Sequence, residues 1–352
     1  MEFSSNSVLT PEPVLTTPTE AVKSAEPASP PRPHAAYWVV SLALAAVFLY
    51  FSLRGIEWAQ VWETVRHAKI ALVLGVLAIS SCGLFLRSYR WRVLLSAQQE
   101  VSIPLAFWAT AAGYLGNNVL PARAGEVVRT LMISSRTGMS RTFVLTTALS
   151  ERMVDAIALI TISAGILLVV PIQAGWLMKA ARPFAVLGLS GVAAIVLLPL
   201  FEKFWFRILG RLPVPERLRG TVGMILSHVL AGIRSFHDPA RLARFLGLTA
   251  VIWMGDGILT VIGARSLGIA IGLPVALLLV AGLGLGSALP STPGYVGIYQ
   301  FVAVNILTPF GYTKTQAIAY ILLFQALNYV MILFWGLLGM TQRKAHEPAR
   351  PR

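Results

Sequence analysis

The chain has 352 residues, 56% of them hydrophobic and only 12% charged, with a mean hydropathy of +0.71. That is the composition of a polytopic membrane protein and leaves no room for a large soluble domain. Its net charge of +14 comes from 29 Lys and Arg against 15 Asp and Glu, and the basic residues lie between apolar runs as the positive-inside rule expects, so the implied partner is anionic lipid and not nucleic acid. A single cysteine, Cys82, excludes an internal disulfide, and five scattered histidines without HExxH spacing give no reason to expect a metal or other cofactor.

Residues 1–35 carry seven prolines among many Ser, Thr and Glu residues, so a disordered tail is expected there. No basic start followed by an apolar core marks it as a signal peptide. The first span is expected over Ala36–Leu53 and the second over Ile70–Leu86, the latter closed on its basic side by Arg87, Arg90 and Arg92. Leu105–Leu120 is short and ends at Pro121; with Ala122–Ser134 it reads as a hairpin that enters and leaves by one face. From Arg87 to Arg141 there are seven arginines and two acids, which keeps this region, and the mouth of the hairpin, on the cytoplasmic side.

Thr142–Val170 exceeds one untilted span and opens with SERMVD, in which Glu151 and Asp155 share a helix face and Arg152 lies one residue round from Glu151. Two readings stand at this point: an interfacial helix start, or carboxylates facing arginines across a bundle. Pro183–Phe201 reads as another span. Glu202–Leu242 follows as a cytoplasmic connection with seven basic residues and an amphipathic stripe from Leu218 to Phe236, suited to an anionic leaflet or to the rim of the bundle. Phe245–Ala264 is apolar except for Asp256. Leu273–Ala288, a Pro/Gly break and Tyr295–Phe310 form a second hairpin or two separate crossings. The last span, Thr315–Leu338, carries Gln325 and Asn328 and is followed by a basic tail. The expected fold is all-α, a membrane helix bundle of six spans with two broken re-entrant hairpins, or eight crossings, with both termini cytoplasmic.

Polar chemistry gathers at the two breaks. The first, Gly116–Arg129 (GNNVLPARAGEVVR), places Asn117, Asn118, Pro121, Arg123, Gly125, Glu126 and Arg129 in an otherwise apolar region. A charge at the bilayer centre costs roughly 2.5–3.5 kcal/mol, so these groups must pair or line a wet cavity. LPARAG (Leu120–Gly125) is echoed by LPSTPG (Leu289–Gly294). Proline ends a helix and glycine permits positive φ, and paired interruptions in two halves of a chain are the pattern of transporter sites. Hairpins opening to opposite faces would make the halves inverted repeats.

Three motifs in order carry a resemblance: N-x-L-P-x-R-x-G-E-x-x-R (Asn118, Leu120, Pro121, Arg123, Gly125, Glu126, Arg129), E-R-x-x-D (Glu151, Arg152, Asp155) and P-x-x-P-G-x-x-G (Pro290, Pro293, Gly294, Gly297). Together they resemble the flippase-like family that includes the transmembrane flippase region of lysylphosphatidylglycerol synthase. The resemblance covers about Ala36 to Gln342. It implies movement of a lipid or lipid-linked headgroup between leaflets, through a cavity lined by these motifs, in a bacterial-type inner membrane. The sequence ends at Arg352 without the synthase's soluble aminoacyl-transfer domain, so lipid aminoacylation is not expected of it. The second motif departs from the pattern: Tyr295 stands where glycine is expected and Gln300 where an acid is expected.

On this reading Arg123 and Arg129 would take a phosphate-bearing headgroup, as paired guanidinium donors match phosphate oxygens. Glu126, Glu151 and Asp155 would balance them when cargo is absent. Asn117, Asn118, Gln300, Gln325 and Asn328 would add neutral hydrogen bonds, the last two alternatively serving interhelical packing. A phospholipid, a polyprenyl-phosphate sugar and a triterpenoid lipid all fit. Two other classes are kept: a non-catalytic subunit of a lipid-biosynthesis complex, and a membrane-embedded enzyme using Glu126 with Glu151 and Asp155 as acid and base.

Overall fold

Long apolar runs become long helices. The computed structural model describes residues 35–120, 124–169, 238–289 and 292–344, with isolated positions at 183, 186–187, 189–190 and 207. Among them are α1 (Ala35–Leu53), α2 (Trp58–Arg66), α3 (Ile70–Leu95), α4 (Ile103–Val119), α5 (Gly125–Thr137), α6 (Arg141–Val169), α7 (Pro239–Ser266), α8 (Leu273–Gly286), α9 (Ile298–Leu307) and α10 (Lys314–Lys344). The described residues contain no strand, so the fold is an all-helical membrane bundle. Four helices, α3, α6, α7 and α10, are long and apolar enough to cross a bilayer; α1 and α2 would add a fifth span, bent by 88° at residues 54–57. Leu42, Phe51, Leu74, Leu168, Val251, Phe334 and Leu337 stand exposed on these helices. An apolar exterior of that extent suits hydrocarbon and not water.

The other helices are too short to cross. At 1.5 Å per residue α4 rises about 25 Å and α5 about 20 Å, against a core of about 30 Å; α8 and α9 are shorter than α4. Each pair packs arm against arm, which makes two hairpins, one broken between residues 119 and 125 and the other between 286 and 298. Glycine permits the first to close. A methyl group on Gly125 would run into the Gly113 carbonyl and the Asn117 backbone, and one on Gly116 would lie 2.8 Å from the Gly125 Cα. The second break uses backbone freedom: Gly294 and Gly297 have φ of 74° and 90°, and Ala45 of α1 packs its backbone against Gly297.

Both halves repeat one unit, a long helix, a hairpin and a long helix: α3 to α6 and α7 to α10. The neighbours repeat as well. The two leading helices α3 and α7 pack on each other, while α4 lies on α10 and α8 on α6, so each half's hairpin docks on the closing helix of the other.

Several boundaries shift from the expected ones. The helix α3 runs past the expected span through the three arginines to Leu95, and Trp91, Val93, Leu94 and Leu95 are buried, so its last turns lie in the bundle and do not leave it. Residues 239–242 are not the end of a polar connection. They form the first turn of α7, where Asp238 caps the helix by accepting the Ala240 N–H at 3.0 Å and Pro239 occupies the first position. Arg343 and Lys344 belong to α10 and not to a tail. The short helix α2 was not foreseen. The Pro-rich tail before Ala35, the expected span Pro183–Phe201 apart from the isolated positions 183, 186–187 and 189–190, and the amphipathic stripe Leu218–Phe236 lie outside the described residues.

Candidate functional site: an ion-pair chain ending at a cavity

The SERMVD segment is helical, so Glu151 and Asp155 fall on one face of α6, and that face meets Arg90 of α3 and Arg129 of α5. Arg90 grips Asp155 with both terminal nitrogens, at 2.6 and 2.8 Å, and donates to Glu151 at 2.8 Å and to the Thr249 hydroxyl at 3.0 Å. Glu151 then accepts from Arg129 through its second oxygen, at 3.1 Å. Arg129 donates in turn to Glu126, one turn back on α5, and Glu126 accepts from Arg152 at 3.1 Å. Opposite charges thus alternate in one chain: Asp155, Arg90, Glu151, Arg129, Glu126, Arg152.

Burial grades along this chain. Arg90 and Arg129 are 2% exposed and Glu151 is 3%, whereas the Arg152 side chain is 37% exposed. The inner arginines also lie against rings, Arg129 at 4.5 Å from Trp91 and Arg90 at 5.0 Å from Phe245. Buried ions persist only when paired and hydrogen-bonded, and here three guanidinium groups meet three carboxylates. A separate pair, Arg87 with Asp256, joins α3 to α7.

The open end of the chain faces a cavity of about 330 Å³ between the two hairpins. Arg152, Glu126, Asp155, Asn117 and Asn118 line it from the first half, with Arg87 and Asp256 beside them. Ser287, Ala288, Tyr295 and Tyr299 line it from the second break, and Asn328 from α10. Leu84, Leu159, Leu283, Phe324, Leu327 and Met331 complete apolar walls. A volume of this order, with apolar walls and a few convergent polar groups, is that of a small-molecule or headgroup site.

The site residues expected from sequence divide into three groups. Asn117, Asn118, Glu126, Arg152 and Asp155 reach the cavity. Arg129, Glu151 and Gly125 are brought to it but stand behind its wall: Arg129 is locked between two carboxylates, and Gly125 is the packing point of α4 and α5. The expectation that the acidic pair of α6 faces the arginines of the first break holds for Glu151 alone, because Asp155 pairs with Arg90. Pro121, Arg123 and Pro290 lie outside the described residues, and Pro293 enters through its backbone in the turn Pro293–Tyr295.

At the second break Gly294, Gly297 and Gln300 form the support beneath the cavity. The Gln300 carbonyl accepts the Gly297 N–H at 2.8 Å, its amide donates to Gln325 at 2.6 Å, and Gln325 donates to the Gly294 carbonyl at 2.9 Å. A carboxylate could accept from Gly297 but could not donate to Gln325, which gives a physical reason for an amide at position 300. Gln325 therefore serves packing, while Asn328 reaches the cavity.

Arg87, Arg90 and Asp256 are site residues that the sequence reading did not single out. The arginines were read as a flank because charge there fits a span's end. The signal against that reading was the apolar run after them, Trp91 and Val93 to Leu95, which continues the helix and draws Arg90 inside.

The profile of the lysylphosphatidylglycerol synthase transmembrane region matches residues 38–336. No curated protein and no solved structure matches the chain. The match takes in all three motifs, both hairpins and the cavity-lining part of each described helix. The chain belongs to the lysylphosphatidylglycerol synthase transmembrane-region family and is a helical membrane protein related to that lipid flippase and synthase region.

Proposed function

We propose that the protein moves a lipid with a phosphate-bearing headgroup between leaflets, with Arg152 as the cation that takes the phosphate. The observation that carries this reading is the grading of the ion-pair chain. Its inner members are sealed, whereas its last pair, Glu126 with Arg152, stands at the wall of a cavity that both broken hairpins line. A phosphate entering the cavity competes with Glu126 for Arg152 and gains charge-assisted hydrogen bonds. The freed Glu126 keeps Arg129 as a partner, so the exchange strands no charge. The apolar walls, which run between α3, α6, α7 and α10, suit the root of an acyl or polyprenyl chain.

The protein acts as a transporter and not as an enzyme, in a cytoplasmic membrane with both termini inside. The carboxylates that an acid–base mechanism would use are each engaged as counter-ions to arginine.

Leaflet exchange in proteoliposomes tests this. Wild-type protein is expected to speed exchange of at least one lipid in a panel of headgroup-labelled phospholipids and a polyprenyl phosphate. Arg152→Ala is expected to lower that rate by about tenfold or more, a loss of one charge-assisted contact of about 1.5–3 kcal/mol, without unfolding the bundle because the residue is partly exposed. An unchanged rate in well-folded Arg152→Ala would contradict the role given to this cation. A scaffold subunit would tolerate the substitution in the same way.

A further inference from the structure

The cavity has two chemically different ends. The first break and its neighbours supply charge: Arg152, Glu126, Arg87 and Asp256. Ser287, Ala288, Tyr295 and Tyr299 supply none. At that end the rings of Tyr295 and Tyr299 are stacked, with centroids 4.9 Å apart and planes 13° from parallel. Three polar atoms of the cavity-lining residues are buried without a hydrogen-bond partner: the indole Nε1 of Trp253, whose ring lies under Arg87, the side-chain oxygen of Asn117, whose amide reaches Glu126, and the Thr260 hydroxyl. Buried polar atoms are rarely left so, and each one calls for an explanation.

Tyr295 has the left-handed backbone conformation that glycine favours, with φ of 59°. A left-handed residue other than Gly, Asn or Asp costs of order 1–3 kcal/mol, and such strain persists where the surrounding structure enforces it. The side chain that bears this cost lines the cavity.

Resting on the phosphate reading above, we propose that the second break forms a subsite for an uncharged polyhydroxyl group, a sugar ring attached to the phosphate, and that Tyr295 selects for it. A stacked aromatic pair offers a flat apolar face to the C–H side of a sugar ring. Hydroxyl groups both donate and accept, and the polar side chains of Ser287 and Asn328 line the same cavity. A quaternary ammonium headgroup is a poorer fit. It is bound by rings set at angles around it, whereas these two are nearly parallel.

The test is calorimetric titration of the full-length protein in detergent with four short-chain alkyl ligands: a plain phosphate, a phosphoglycerol, a phosphohexose and a phosphocholine. The phosphohexose is expected to bind about tenfold tighter than the plain phosphate, with phosphoglycerol between them. In Tyr295→Gly, which removes the ring and relieves the backbone, that ratio is expected to fall to near one while the thermal unfolding midpoint holds or rises. Tyr295→Phe should keep the ratio. Equal binding of plain phosphate and phosphohexose by the wild type, tightest binding of phosphocholine, or an unchanged ratio in Tyr295→Gly would overturn the subsite and leave the phosphate site standing. No binding of any of the four would overturn the phosphate reading and the subsite with it.

Discussion

Glu151→Ala is expected to destabilise the bundle by about 3–5 kcal/mol, enough to abolish most folded protein at growth temperature. Among the described residues, Glu151 is the only carboxylate that touches both sealed arginines, accepting from Arg90 at 2.8 Å and from Arg129 at 3.1 Å. Without it two guanidinium groups, each 2% exposed, share the single negative charges of Asp155 and Glu126, and neither can turn to water. Glu126→Ala should cost much less, because the Glu126 side chain is 15% exposed and Arg152 has a path to the cavity. Thermal unfolding in detergent, followed by near-ultraviolet dichroism, separates the two. Glu151→Gln should fall between wild type and Glu151→Ala, since an amide accepts one of the two contacts but presents donors to the other arginine. A Glu151→Ala midpoint close to that of Glu126→Ala would contradict the sealed chain of charges.

The second large effect is at Gly125. Ala is the better helix former by about 1 kcal/mol, so propensity alone predicts that Gly125→Ala stabilises α5. Packing reverses the sign. The added methyl meets the Gly113 carbonyl and the Asn117 backbone, neither of which can swing aside as a side chain could. The cost should exceed the usual overpacking penalty of about 1–3 kcal/mol, because α4 and α5 must separate and take Arg129 away from Glu151. Gly165→Ala on α6 is the control: nothing lies within 4 Å of its added methyl, and the helix propensity gain should appear there undiluted. Equal midpoints for the two variants would show that the hairpin is not packed as described.

Much of the architecture was legible because the physics of a bilayer is simple. Length and hydropathy are enough to mark Ile70, Thr142, Phe245 and Thr315 as lying in spanning helices. Proline and glycine at Pro121, Gly125 and Gly294 mark the breaks. Arg90 was not legible in the same way. Arginine at the end of an apolar run means a headgroup region in most sequences, and only the partner in space, Asp155 on another helix, shows that this one is inside. The same limit applies to Arg129 and Arg152. Both belong to motifs, but which is sealed and which reaches the cavity depends on the angle at which α5 meets α6, and spacing along the chain does not encode that. Gln300 was legible as a departure from the pattern. Its purpose emerged only with Gln325 and the Gly294 carbonyl around it.

If the headgroup travels through the space between the two hairpins, filling that space must stop it. Ala156 lines the cavity from α6 and carries no charge, so Ala156→Trp should fill the path while removing none of the ionised groups. Leaflet exchange of the lipid that the wild type moves, measured in proteoliposomes with Ala156→Trp of unchanged unfolding midpoint, is predicted to fall to the rate of protein-free vesicles. Exchange at the wild-type rate through the filled protein would mean that the headgroup travels elsewhere.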